Sequence, residues 1–220
     1  TLSIKVYQAL AAALAMRPQR KTILSDTGNF PTDLYMADGL IESLNNGHDI
    51  RLVAPDEVED AIDDTVAVVM LTQVDYKTGR MHDMAKLTKK AHEAGAVMIW
   101  DLAHSAGAFA VDLQACNAEF AVGCTYKYGN SGPGAPAWLY VRKERQRELN
   151  VPIQGWFAQR DQFEMGEYFE RSDQMRGFQI ASPSIIGLRA VNSGFTMIGE
   201  AGILAIEAKA RTGTSMMIEL

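Results

Sequence analysis

Val66-Ala67-Val68-Val69-Met70-Leu71 is an unbroken apolar run. A strand with one wet face alternates apolar and polar residues. A run apolar at every position belongs in a sheet covered on both faces, as parallel sheets are. Val97–Trp100 repeats the pattern, and Phe120–Cys124 and Ala137–Val141 read as two further strands. Upstream, Thr22–Ser25 and Ile50–Ala54 complete the set. Helical stretches lie between the strands. Thr1–Arg17 is rich in alanine and leucine, with Pro18 just past its end. Pro31–Asn46 opens on a proline and closes at Asn46-Gly47, and Pro55–Ile62 is short with an acidic start. Asp83–Ala94 is amphipathic and stops at Gly95. Ser184–Ala208 also reads as one helix, although Gly187, Gly194, Gly199 and Gly202 weaken it. The alternation predicts an α/β fold, a mostly parallel sheet flanked by helices. Asn150–Gly177 is polar, aromatic and poorly periodic, a segment suited to covering a site or contacting a partner subunit.

The chain has 220 residues, 47% hydrophobic and 22% charged, with a net charge of −6. That is enough for one large domain with a real core and too apolar for disorder. No block of lysine and arginine points to nucleic acid, and no apolar stretch is long enough to cross a membrane. Thr1 opens directly on a helical pattern, so no signal peptide is expected. Cys116 and Cys124 form neither a CxxC nor a zinc pattern. They read as buried free thiols, which suits a reducing cytoplasm.

In an open parallel sheet, ligands bind beyond the carboxyl ends of the strands. Asp101 and His104 follow the strand VMIW, while Tyr126 and Lys127 follow FAVGC. The run Gly129-Asn130-Ser131-Gly132-Pro133-Gly134-Ala135-Pro136 comes next. It is neither a P-loop nor GxGxxG, and it suits a close backbone approach beside Lys127. An ammonium at the end of a buried strand is costly unless it is paired. Alone, Asp101 is as well explained by capping the next turn, and His104 by a structural hydrogen bond. As a metal site they lack a third ligand at a recognisable spacing. Together, the residues fit pyridoxal phosphate (PLP). That cofactor needs a lysine for its aldehyde, an acid for its pyridine nitrogen, and an aromatic ring against its face. Phe30 or His104 can supply the ring. The phosphate needs a helix N-terminus, which Thr1-Leu2-Ser3 provides.

The stretches LTQVDYKTGR, IWDLAHSAGAFAVDL and CTYKYGNSGPGAPAWLYVRKE, with FPTDLY before them and GWFAQRDQFEM after, strongly resemble the kynureninase family. That family belongs to the aminotransferase class V group of fold-type I PLP enzymes. The resemblance runs from Thr1 to about Ala190. It implies PLP-dependent hydrolysis of L-kynurenine, or 3-hydroxykynurenine, to anthranilate or its 3-hydroxy form and L-alanine. It also implies a cytoplasmic homodimer acting in tryptophan catabolism, on the kynurenine route that leads to NAD biosynthesis. By position, Lys127 carries the cofactor as a Schiff base, Asp101 pairs with its ring nitrogen, and His104 lies close to the ring. Leu2 and Ser3 hold the phosphate, Phe30 packs on the ring and Asp33 shares its turn. Thr72 contacts the cofactor, and Tyr126 reaches the phosphate and donates a proton. Trp156 lines a neighbouring subunit's site, and Ser182 assists cofactor or substrate binding. Residues 1–220 would then be the PLP-binding large domain, with an N-terminal arm and a C-terminal small domain outside them. Gly129 and Ser131 stand where the family pattern has leucine and glycine. Two alternatives remain open on the residues alone. One is another class V enzyme, an aminotransferase or a protein like the cysteine desulfurases. The other is a non-catalytic PLP-binding protein.

Overall fold

The computed structural model describes residues 1–220. Six strands form one sheet in the order β2-β1-β3-β4-β5-β6. They are β1 (Thr22–Asp26), β2 (Asp49–Val53), β3 (Val66–Thr72), β4 (Val97–Asp101), β5 (Phe120–Gly123) and β6 (Trp138–Val141). The first five run parallel, and β6 pairs antiparallel with β5. Every residue of β1, β3, β4 and β5 is buried, as the apolar runs require.

Alternate side chains feed two cores on opposite faces of the sheet. On one face Ile23, Val68, Met70, Ile99 and Phe120 pack with α1 (Leu2–Ala15) and α2 (Pro31–Leu44). Phe178 joins them, and its carbonyl accepts hydrogen bonds from Lys5 and Gln8 of α1. On the other face Leu24, Val69, Leu71, Met98 and Trp100 pack with α3 (Val58–Ala61) and α4 (Met84–Glu93). Trp100 Nε1 donates to Thr88 of α4 at 2.9 Å, so even the largest core ring leaves no orphan polar atom.

The element ends follow local chemistry. Asp83 caps α4 by accepting from the Lys86 amide. Pro31 occupies the first turn of α2, and Asn45 ends that helix in the left-handed conformation with φ 43°, one residue before the expected stop. The long C-terminal helix predicted over Ser184–Ala208 is two helices, α5 (Ile185–Ala201) and α6 (Ile203–Glu219). Gly202 separates them with φ 78°, a backbone state open to glycine and costly for other residues. Cys124 is buried as expected, whereas Cys116 is only half-buried, because the turn that carries it lies at the rim of the core. Asn150–Gly177 holds no strand, only two short 3₁₀ turns, Trp156–Ala158 and Met175–Phe178, and a single bridge between Gln159 and Arg171.

The glycine-rich loop after β5 is clamped between the sheet and α5. Gly129 packs against the Thr125 carbonyl, where an added Cβ would come within 2.6 Å of the oxygen. Its own carbonyl lies against Gly194 of α5, where a Cβ would approach to 2.1 Å. No larger side chain fits at either position without backbone movement. Ser131 Oγ donates to the Gly129 carbonyl at 3.0 Å and closes the loop on itself. Gly194→Ala is expected to lower stability by about 1–3 kcal/mol, the usual range for overpacking a tight contact. Gly199→Ala on the same helix meets nothing within 4 Å and should raise stability by about 0.5–1 kcal/mol. Urea denaturation of the two variants beside the parent checks both signs.

Candidate active site

The carboxyl ends of β1, β3, β4 and β5 lie side by side, and a cavity of about 500 Å³ opens above them. Lys127 and Tyr126 enter it from the turn after β5, and Asp101 enters from the end of β4. Phe30, Thr32 and Asp33 come from the start of α2, while Thr1, Leu2 and Ser3 come from the start of α1. Gly134–Ala137 close one side, so the tail of the glycine-rich loop does approach the lysine. Sheet register places Asp101 beside Thr72 on β3 and Val122 on β5.

Lys127 Nζ lies 2.6 Å from His104 Nε2 and 5.5 Å from the centroid of the Phe30 ring. Burial, and then the Lys127 ammonium, hold the His104 pKa below its ordinary value. The imidazole is therefore neutral at pH 7 and accepts a hydrogen bond from the ammonium. Phe30 meets His104 edge-on, with centroids 6.3 Å apart.

Asp33 and Asp101 are both buried and face one another. Asp101 accepts from the Ala103 amide at 2.8 Å, whereas Asp33 Oδ2 has no hydrogen-bond donor. Burial raises both pKa values, and the facing charge of Asp101 adds to the rise at Asp33. Two carboxylates this close hold one proton between them. The amide bond to Asp101 favours its ionised form, so the proton resides on Asp33. A ring N–H donor seated in the cavity would satisfy this acid pair.

The first amides of α1 have no partner within the helix, and the aligned peptide dipoles favour an anion there. Tyr126 is exposed at 46%, yet its hydroxyl pKa is raised by partial burial, by Cys124 and by Asp101. It stays protonated and can donate. An anion seat, an acid pair for a ring nitrogen, a lysine amine and an aromatic wall meet the needs of PLP, so the residues present fit that group.

Four of the predicted residues do not line this cavity, and of these His104 touches a residue that does, through Lys127 Nζ. The Thr72 hydroxyl donates to Asn29 Oδ1 at 2.6 Å, beneath the cavity wall. Trp156 packs on Phe157 and lines a separate shallow cleft of about 330 Å³ in the excursion after β6. Ser182 is exposed on the approach to α5. Sequence reasoning passed over Asn29. Its amide nitrogen donates to Ser25 and to the Met70 carbonyl, while its oxygen accepts from Thr72 and from the Phe30 amide. This network holds the turn that presents Phe30. The only signal in the chain was an asparagine directly before FPTD.

Residues 41–220 match the model of the family described as aminotransferase class-V, and the chain belongs to that family. Within it, the chain is 43% identical along its whole length to a protein named kynureninase from Pseudomonas fluorescens, and 42% to one from Burkholderia mallei (strain SAVP1). It spans 54% of each, about half the length of these curated relatives. Solved structures share the fold at low identity. A cysteine desulfurase from Thermococcus onnurineus NA1 superposes with a TM-score of 0.81 at 20% identity, covering 99% of this chain and 55% of that one. A second, from Escherichia coli, gives 0.83 at 18%, covering 98% and 55%.

Two outcomes test the electrostatics in protein stripped of cofactor. Lys127→Ala should raise the His104 pKa toward its ordinary value, because the facing ammonium is gone; histidine NMR titration reads the shift. Asp33 and Asp101 carry raised pKa values, so the folded state holds a proton that the unfolded chain has released. Stability therefore falls as pH rises from the ordinary carboxylate range toward the folded pKa values. Asp33→Asn should flatten that fall and raise stability at pH 8 by about 1 kcal/mol or more. Urea denaturation across pH 5 to 8 measures it, and an unchanged slope refutes the shared proton.

Proposed function

We propose that this chain is the PLP-binding large domain of a kynureninase that hydrolyses L-kynurenine or 3-hydroxykynurenine. The products are anthranilate, or its 3-hydroxy form, and L-alanine. The observation that carries the reading is the 43% identity, along the entire chain, with a relative named for that activity. The cavity supports it by gathering Lys127, Asp101 and Tyr126 around one volume.

The N-terminal amides of α1 at Leu2 and Ser3, with the Tyr126 hydroxyl, would hold the cofactor phosphate. Asp101 would accept from the ring nitrogen, and Phe30 and His104 would flank the ring. When bound, PLP supplies an aldehyde for the substrate amine and a protonated ring that draws electrons from the bonds at Cα and Cβ. Lys127 would carry the cofactor and would serve as the base at the substrate α-carbon. Neutral His104 sits 2.6 Å from Nζ and orients the amine by accepting a hydrogen bond from it. Ionised Asp101 keeps the ring nitrogen protonated, and Asp33 holds its own proton rather than adding a second negative charge. The Tyr126 hydroxyl, held protonated, would donate to the substrate β-carbon, which becomes the methyl of alanine, as its bond to the hydrated side-chain ketone breaks. Water and kynurenine together account for all atoms of anthranilate and alanine.

The coarser surroundings also belong to this reading. No helix is long and apolar enough to cross a membrane. The homodimer, the cytoplasmic location and the role in tryptophan catabolism extend the proposal. Trp156 and its exposed neighbours Phe163 and Tyr168 support a surface that reaches a second subunit.

The complete gene product, given PLP and L-kynurenine, should produce anthranilate fluorescence. Lys127→Ala should reduce the rate by at least about 10³-fold, since base and cofactor anchor are lost together. Cofactor bound at Lys127 without anthranilate would move the substrate to another amino acid.

A further inference from the structure

The hairpin between β3 and α4 has no part in the site as described, yet it ends against it. Val74 bridges Met81, the Asp75 amide donates to the Arg80 carbonyl, and the His82 amide donates to the Gln73 carbonyl. Asp75 Oδ1 accepts from the amides of Lys77 and Thr78, which stiffens the tip. Tyr76 sits in that tip. Its ring stacks along His104, with centroids 6.3 Å apart and an interplanar angle of 27°, and meets Phe30 edge-on at 5.2 Å.

At its base the hairpin is fastened to the sheet by one carboxylate. His82 Nε2 lies 2.7 Å from Asp26 Oδ2, and both side chains are almost wholly buried. The other oxygen, Asp26 Oδ1, accepts from the Gly28 amide at 2.8 Å. Gly28 begins the turn that leads to Phe30. Asp26 therefore sets the hairpin that carries Tyr76 and the turn that carries Phe30 in one frame, and His104 lies within reach of both rings.

We propose that Tyr76 is a positioning residue: its ring, held in place by the Asp26–His82 pair, fixes the plane of His104 and so aims Nε2 at the Lys127 amine. A histidine on a turn after β4 has two free torsions, and a 2.6 Å contact with Nζ demands one setting of both. Phe30 restrains the ring at its edge only, so an aromatic face alongside removes the remaining freedom. The proposal rests on Lys127 being the reactive group of the site, and it adds a residue that touches neither Lys127 nor the carboxylates.

The test uses the complete protein without substrate, with ¹³C-labelled histidine rings. The groups facing His104 are the Lys127 ammonium, the Asp75 carboxylate, the Val74 carbonyl and the rings of Phe30 and Tyr76. Tyr76→Ala removes one of them and admits water. The His104 midpoint should then rise by about half a pH unit as its burial lessens. His48 and His92 should not move, and Tyr76→Phe should behave as the parent does. His82→Gln should shift His104 in the same direction as Tyr76→Ala. An unmoved His104 in Tyr76→Ala overturns the assignment, as does a Tyr76→Phe shift equal to that of Tyr76→Ala. If Tyr76→Ala does not fold, Tyr76→Leu is read in its place with the same expectation. No kynurenine enters the measurement, so a chain that fails to hydrolyse it can still support the proposal. An unmoved His104 in an active kynureninase overturns the proposal alone.

Discussion

Two carboxylates, Asp33 and Asp101, are buried at the carboxyl edge of the sheet with only one ammonium, Lys127, near them. Taking such charges out of water is costly, and the fold offsets the cost in stages. An amide hydrogen bond stabilises Asp101 as an anion, and proximity leaves a proton on Asp33. Much of the surrounding architecture serves this arrangement. Parallel strands bring their carboxyl ends to one edge, and α2 begins above that edge. Its first turn delivers Asp33 and its cap delivers Phe30.

The lysine is held by a different balance. Its ammonium lies beside a neutral imidazole rather than in an ion pair, and the same charge keeps that imidazole neutral. The 2.6 Å contact with a neutral acceptor fixes where the amine points without setting a carboxylate against it.

Rigidity around the site comes from polar networks and close backbone contacts as much as from the apolar core. Asn29 ties β1, β3 and the Phe30 turn together through four hydrogen bonds. Asp26 ties that turn to the hairpin. Gly129 and Gly194 bring the loop after Lys127 into direct backbone contact with α5. Each device fixes one wall of the cavity from outside it.

Much of this was legible in the chain itself. Apolar runs at Val66–Leu71 and Val97–Trp100 determine buried strands, because no other element places every side chain of so short a run in a core. Asp101, His104 and Lys127 follow such strands directly, so their position at the ligand edge was also determined by order alone. Three matters needed the tertiary structure. Thr72 turns its hydroxyl to Asn29, Gly202 breaks a helix that helical periodicity would continue, and Tyr76 comes to rest on His104 across a gap of 28 positions. Residue order specifies which groups follow a strand. It does not specify which side chain from another loop will meet them, because that depends on strand order and register, and these emerge only when both faces of the sheet have been covered.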